Sequence, residues 1–223
     1  QGFVELTDGS MNYAFFFYYP YSSDVTSGTW TSRRVGVNVD QSSEDNLYAS
    51  DFLWTRYVLD QKTQEDITSG NANYPVYLTF EKKTAVQDIH CEKEREQDGT
   101  YNSVITDPSI EIDGNNNSVV IGAPFDLSAG LYGTSDLTTQ NQASFKPYKI
   151  SDKTTESVYR MHMTPQTMKE WGLKVKVNVG TDAQKDTTVA LQDQFTNLEE
   201  GKLYIIHIAP KGNGHIQIVD WLQ

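Results

Sequence analysis

Four histidines, one cysteine and several adjacent carboxylates are the side chains of this sequence with the chemistry to act. The histidines are His90, His162, His207 and His215, and the cysteine is Cys91. No two histidines share the helical spacing of a metal site. His207 and His215 fall on neighbouring predicted strands, where they meet across a hairpin. Two imidazoles without a third ligand make a poor metal site, so they read as a solvated polar face. Cys91 beside His90 could suggest a nucleophile. A lone cysteine in a strand-like segment is more often simply packed. The carboxylate pairs Glu44-Asp45, Glu65-Asp66 and Glu199-Glu200 are adjacent in sequence. Adjacent strand or loop residues point apart, so none is an acid–base pair by itself. Asp113, Asn115 and Asn117 match the start of a calcium loop, but Ser118 stands where its glycine belongs and Pro124 where its glutamate belongs. There is no GxSxG elbow, no HExxH and no P-loop. The sequence therefore predicts no catalytic residue, no cofactor, no metal and no enzyme.

Composition narrows the classes further. The chain has 223 residues, enough for one or two domains. Hydrophobic residues make up 37% and aromatic ones 12%, which argues for a buried core and against wholesale disorder. Thirteen tyrosines and nine phenylalanines favour strands. A formal net charge of −12 repels phosphate backbones and anionic lipid, so nucleic acid is not an expected partner. One cysteine rules out an intrachain disulfide. No apolar run approaches the roughly 18 residues of a membrane helix. No signal peptide is visible at residue 1, so a processed or trimmed chain is expected.

The elements that must position these side chains follow a period of two. Leu173, Val175, Val177 and Val179 alternate with lysines and an asparagine, giving a half-buried strand. Val35, Val37 and Val39 repeat the pattern, as do Ile216 and Ile218. Tyr204, Ile206 and Ile208 alternate with Ile205 and His207; Ile205 makes both faces apolar and predicts a central strand. Asp113-Gly114-Asn115 predicts a hairpin between Ile110–Ile112 and Val119–Ile121. Tyr74 to Phe80 reads as a fresh strand after the polar stretch Gln61–Asn73, so a domain boundary is expected near residue 70. Thr164-Pro165 predicts one short helical turn. No longer segment keeps a helical period. Short strands at regular spacing predict an all-β sandwich.

Several strings carry a family resemblance. Phe15-Phe16-Phe17-Tyr18-Tyr19-Pro20-Tyr21 resembles the aromatic "YYPY" strand of the fimbrillin superfamily of the Bacteroidales. Asp40-Gln41-Ser42 resembles its "DQS" element, and Asp51-Phe52-Leu53-Trp54 is similar to "sDLLwa". Val76–Phe80 resembles a strand that often continues as "F-x-H", but here Glu81-Lys82-Lys83 follows. Met163-Thr164-Pro165-Gln166-Thr167 is similar to "iiPQt", and Leu198–Tyr204 to "leaGkkY". Order and spacing match over most of the chain; residues 92 to 155 carry little of the pattern.

The resemblance implies two tandem transthyretin-like β-sandwich domains, here residues 1–70 and 71–223. The "YYPY"-like strand begins near residue 13, earlier than in the family, so the first sandwich is expected to be incomplete at its N-terminus. It also implies a lipoprotein precursor exported to the outer membrane and cell surface, with a lipid anchor as the only link to membrane. The implied role is that of a structural fimbrial (pilus) subunit in adhesion and biofilm formation. Its partners would be other fimbrial subunits, itself or related chains. Assembly would proceed by β-strand exchange, with His215, Ile216, Gln217, Ile218, Val219, Asp220 and Trp221 as the candidate exchanged strand. The plainer alternative is that this strand completes its own sheet. A second reading is a tip adhesin that binds a host glycan or protein, with Trp30, Tyr48, Tyr132, Tyr148 and Trp171 as ligand-contact aromatics in loops.

Overall fold

The structure is a computed structural model. It describes residues 2–5, 13–20, 32–60, 63, 65–66, 69–70, 76–93, 95, 97–101, 109–113, 118–141, 144–167, 172–177, 187–190, 197–208 and 214–220. The elements, in chain order, begin with β1 (Gly2–Glu5), β2 (Tyr13–Tyr19), β3 (Arg33–Gly36), α1 (Glu44–Ala49) and β4 (Leu53–Leu59). Next come β5 (Glu81–Lys82), β6 (Ala85–Glu92), β7 (Ser109–Asp113), β8 (Ser118–Asp126), β9 (Leu131–Tyr132) and β10 (Thr138–Asn141). The remainder are β11 (Ser144–Phe145), β12 (Tyr148–Asp152), β13 (Glu156–Met163), β14 (Gln166–Thr167), β15 (Gly172–Val177), β16 (Thr187–Ala190), β17 (Asn197–Leu198), β18 (Lys202–Ile208) and β19 (Gly214–Asp220).

The expected all-β class is what the chain adopts. The largest sheet has the order β12-β13-β6-β18-β19. Its strands are antiparallel except for β18, which runs parallel to β6. Others run β1-β2-β4-β5, β10-β8-β3 with β9 on β8, and β11-β7-β15-β16, beside the small pair β14-β17.

Period two decides which face of each strand is buried. In β18, Tyr204, Ile206 and Ile208 are buried, while Leu203, Ile205 and His207 are half-buried. β18 lies inside its sheet, as Ile205 predicted. Within the aromatic run of β2, Ala14 and Phe16 turn inward and Phe15 and Phe17 are half-exposed. Two apolar clusters result. One gathers Val37, Ile89, Val119, Phe145, Tyr159, Met161 and Ile206 with their neighbours. The other gathers Ala14, Phe16, Phe52, Trp54, Phe125 and Leu127. Phe125 is its hub: Phe52 meets it edge-on at 4.8 Å and Tyr132 at 5.1 Å.

Several local expectations fail. Ile110–Ile112 and Val119–Ile121 do not form a hairpin: β7 pairs with β15 and β11, whereas β8 pairs with β3, β9 and β10. The chain changes sheet between β7 and β8 instead of turning back on itself. Val76–Phe80 has no regular structure, with Tyr77 86% exposed; only Glu81–Lys82 joins a ladder there. Thr164-Pro165 does not start a helix, since Gln166–Thr167 is strand paired with Asn197–Leu198. The described helix α1 was missed. Its signal was Ser43 as N-cap, accepting from the Asn46 amide at 3.3 Å, with Glu44 and Asp45 in the first turn. Across the expected boundary near residue 70, β3 pairs with β8.

Candidate functional site

Three of the strings that carried the resemblance, through Gln41, Asp51 and Glu200, contribute to a polar joint around His162, Lys82 and Lys83. Gln41 is fully buried. Its side-chain amide copies a strand neighbour: Nε2 donates to the His162 carbonyl at 2.8 Å, and Oε1 accepts from the His162 amide at 2.8 Å. Asp40 holds the approach, accepting from the Ser42 hydroxyl at 2.6 Å and amide at 3.1 Å. Gln166 uses the same device on β8, exchanging bonds of 2.9 and 3.1 Å with the peptide of Val120. Each glutamine satisfies backbone groups that no strand reaches, which otherwise cost about 1–3 kcal/mol each when buried.

Charges are buried beside Gln41. Lys82 donates to Asp51 at 2.5 Å, with side chains 6% and 19% exposed. Arg160 grips Asp88 with two bonds of 2.7 Å. Lys83 bridges Glu81 and Glu200 at 2.8 and 3.0 Å. His162 Nδ1 lies 3.1 Å from the Thr84 hydroxyl and 3.8 Å from Asp51. The joint ties the segment around α1 to β5, β6 and β13. Its charges are paired with one another, which fixes the geometry of the joint.

Burial pushes the His162 imidazole down to about 4; Asp51 opposes the shift, and Lys82 and Arg160 add to it. The unfolded chain takes up this proton near the ordinary 6.5. The contribution of a neutral His162 is therefore whole above pH 6.5 and is lost as pH falls from 6.5 towards 4. A loss of about 3 kcal/mol over that window is expected. Urea melts from pH 7.5 to 4.5 test it against His162→Gln, whose side chain does not titrate. An equally steep fall in the variant would assign the acid sensitivity elsewhere.

Cys91 is buried in β6, and burial raises its thiol to about 12, so it is inert packing. His207 and His215 do stand opposite each other in the β18–β19 register, as expected. Among the described residues, no group of three or more His, Cys, Asp or Glu side chains is placed to hold a metal. No described helix is long and apolar enough to cross a membrane.

The candidate exchanged strand forms β19 at one edge of the largest sheet, paired to β18 from Gly214 to Asp220. Trp221 lies outside the described residues. The opposite edge, β12, is guarded by a register shift between Lys149 and Ser151 and by its charged Lys149 and Asp152.

The candidate aromatics separate. Trp30 and Trp171 lie outside the described residues. Tyr132 is not a loop residue: it is in β9, packed on Phe125, and burial raises its phenol. It also lines a cleft of about 330 Å³ with Val120, Ala123, Leu137 and Pro165. Tyr148 is half-buried in β12. Tyr48 is 49% exposed on α1, and its hydroxyl donates to Glu44 at 3.0 Å. That bond raises the Tyr48 phenol, with Tyr148 and Tyr19 close enough to add to the effect. Sequence reasoning missed Tyr19, which is 45% exposed.

Comparisons with known proteins follow this architecture. The family model described as fimbrillin-like matches residues 6–221. The chain is similar to the crystal structure of a proposed cell adhesion protein from Bacteroides ovatus, with a TM-score of 0.63 and 18% identity over 96% of this chain and 70% of that one. It is also similar to one from Bacteroides uniformis, with a TM-score of 0.62 and 16% identity over 96% of this chain and 74% of that one. Comparison with curated proteins yields no match.

Proposed function

Because the chain belongs to the fimbrillin-like family, we propose that it is a structural subunit of a bacterial surface fimbria, acting in adhesion and joining its neighbours by β-strand addition. The family gives it a fimbrial or adhesive role at a surface-exposed location. The finer reading rests on one observation: β19 forms the edge of the largest sheet, while the other edge carries a bulge and charges. An edge strand offers backbone groups to an incoming strand, or can itself be replaced by one, with alternate side chains setting register. The partners would be other fimbrial subunits. The proposal includes two transthyretin-like sandwich units divided near residue 70, with β8 contributing to both core clusters. It also includes attachment to the outer membrane through a lipid on the precursor. No catalytic step is part of it.

Light scattering on the whole chain, with and without a peptide of residues 215–223, tests the assembly. Concentration-dependent polymers, or tight binding of the peptide, are expected. A strict monomer that ignores the peptide would overturn strand exchange through this edge.

The grouping of Tyr19, Tyr48 and Tyr148 favours one alternative, a tip adhesin whose tyrosines stack on a host glycan or protein. A glycan array probed with the wild type and Tyr48→Ala decides it. Signal that disappears in the variant supports the tip role, and no signal counts against it.

A further inference from the structure

The ladder between β4 and β5 stops early. On one side β4 is paired to β2 along all 7 of its residues, from Leu53 to Leu59. On the β5 side only Leu53 and Trp54 are paired, with Lys82 and Glu81. The amide of Lys83 continues that ladder at one end, donating to the Phe52 carbonyl at 2.8 Å. At the other end Thr55, Arg56, Tyr57 and Val58 offer a sheet edge that no described strand covers. Such an edge presents unpaired backbone donors and acceptors to any extended chain.

The residues able to cover it come next in the chain. In antiparallel pairing one strand advances by a residue as the other retreats by one. Continuing the observed register therefore sets Phe80 opposite Thr55, Thr79 opposite Arg56, Leu78 opposite Tyr57 and Tyr77 opposite Val58. No loop separates these residues from β5, so they reach the edge without a loop-closure cost. A strand from another chain must also give up its free translation and rotation. The composition fits the place, since residues 77–80 are uncharged and mostly aromatic or β-branched. The faces fit as well. Val58 is 41% exposed and Tyr77 86% exposed, and the register puts them side by side on one face. Leu78 falls on the opposite face beside Tyr57, whose ring already meets Phe15 at 6.5 Å. One movement takes both large exposed groups out of water and pairs the backbone of β4. In the structure the segment instead leaves β4 at Phe80.

We propose that residues 77–80 are a strap that closes over β4 in this register, lengthening β5 back to Tyr77. The structure shows the strap open. Open, it leaves the β4 edge able to accept an extended segment of another chain; closed, it denies that edge. The partner that fits is an uncharged strand of aromatic and β-branched residues, because the strap itself sets the pattern. β4 and β19 belong to different sheets, so the strap holds whether or not the chain assembles through β19.

The test is oxidation of paired cysteine variants of the whole chain, read on non-reducing gels and by peptide mapping. Val58→Cys with Tyr77→Cys, and separately Arg56→Cys with Thr79→Cys, should each give a monomeric intrachain disulfide. Val58→Cys with Leu78→Cys, which fall on opposite faces, should stay reduced. Cys91 is buried and takes no part. Val58, Tyr77, Arg56 and Thr79 are all exposed, and either in-register pair suffices if the other fails to fold. A labelled peptide of residues 76–82 probes the edge. It should bind the reduced Val58→Cys, Tyr77→Cys chain, lose that binding on oxidation and regain it in dithiothreitol. Interchain disulfides, no disulfide in either in-register pair, or equal oxidation of the out-of-register pair would overturn the strap. No peptide binding to the reduced chain, or binding unchanged by oxidation, would overturn the role of this edge as an acceptor.

Discussion

Asp51→Ala is expected to destabilise the protein by about 3–5 kcal/mol, a large share of the roughly 5–15 kcal/mol that holds a domain folded. The loss does not measure the attraction between Asp51 and Lys82. It measures what is left behind: an ammonium group on a side chain only 6% exposed, without its carboxylate at 2.5 Å. Burial already pulls the Lys82 pKa down, and Asp51 is the group that opposes it. The same carboxylate opposes the downward shift of His162. Removing it therefore disfavours two cationic forms at once. Replacing both partners, as Asp51→Ala with Lys82→Met, should recover much of the loss, because no charge then remains buried. Urea denaturation of the two single variants and the double variant checks this. Equal losses in Asp51→Ala and the double variant would show that packing, not uncompensated charge, is responsible.

Gly130→Ala is expected to cost about 2–4 kcal/mol, from left-handed backbone strain and overpacking together. Gly130 has φ of +72°, and a Cβ built on it would lie 2.6 Å from the Trp54 indole. The indole has little room to yield. Its Nε1 donates to the Leu127 carbonyl at 3.0 Å, and its ring packs against Phe125. The turn is fixed from the other side as well. Asp126 accepts from the Ser128 hydroxyl and amide and from the Ala129 amide, and the Gly130 amide donates to the Asp126 carbonyl at 2.7 Å. Gly70 provides the comparison. Its φ is +73°, with nothing within 4 Å of the added Cβ, so Gly70→Ala should show the backbone part alone, about 1 kcal/mol. Thermal melts of the two variants separate strain from collision; similar losses would remove the indole from the explanation.

Strand existence was legible wherever alternation was clean. Leu173, Val175 and Val177 announced β15, and Tyr204, Ile206 and Ile208 announced β18 with its buried face. Val76–Phe80 shows where the same reasoning fails; Tyr74 and Pro75 lie outside the described residues. Val76 and Tyr77 are apolar but exposed, because no partner strand receives them there. The polar joint was invisible as a joint. Gln41 and Gln166 stood out as letters in strings, but nothing in those strings says that each amide imitates a peptide for a strand more than 40 residues away. Lys82, Lys83 and Asp88 are charged yet buried, each held by an ion-pair partner distant in the chain or across the sheet.

The sequence alone determined the all-β class, the inward face of β18, the packing role of Cys91 and the place of His207 opposite His215. These depend on side-chain alternation and short turns, which act between residues close in the chain. The tertiary structure alone decided that β7 and β8 belong to different sheets, that Tyr132 faces the core, and that His90 stands opposite His207. Each of these depends on which distant strands pair. Backbone hydrogen bonds are nearly the same for every candidate partner, so the choice falls to the burial of whole faces, and no local stretch of sequence contains both faces.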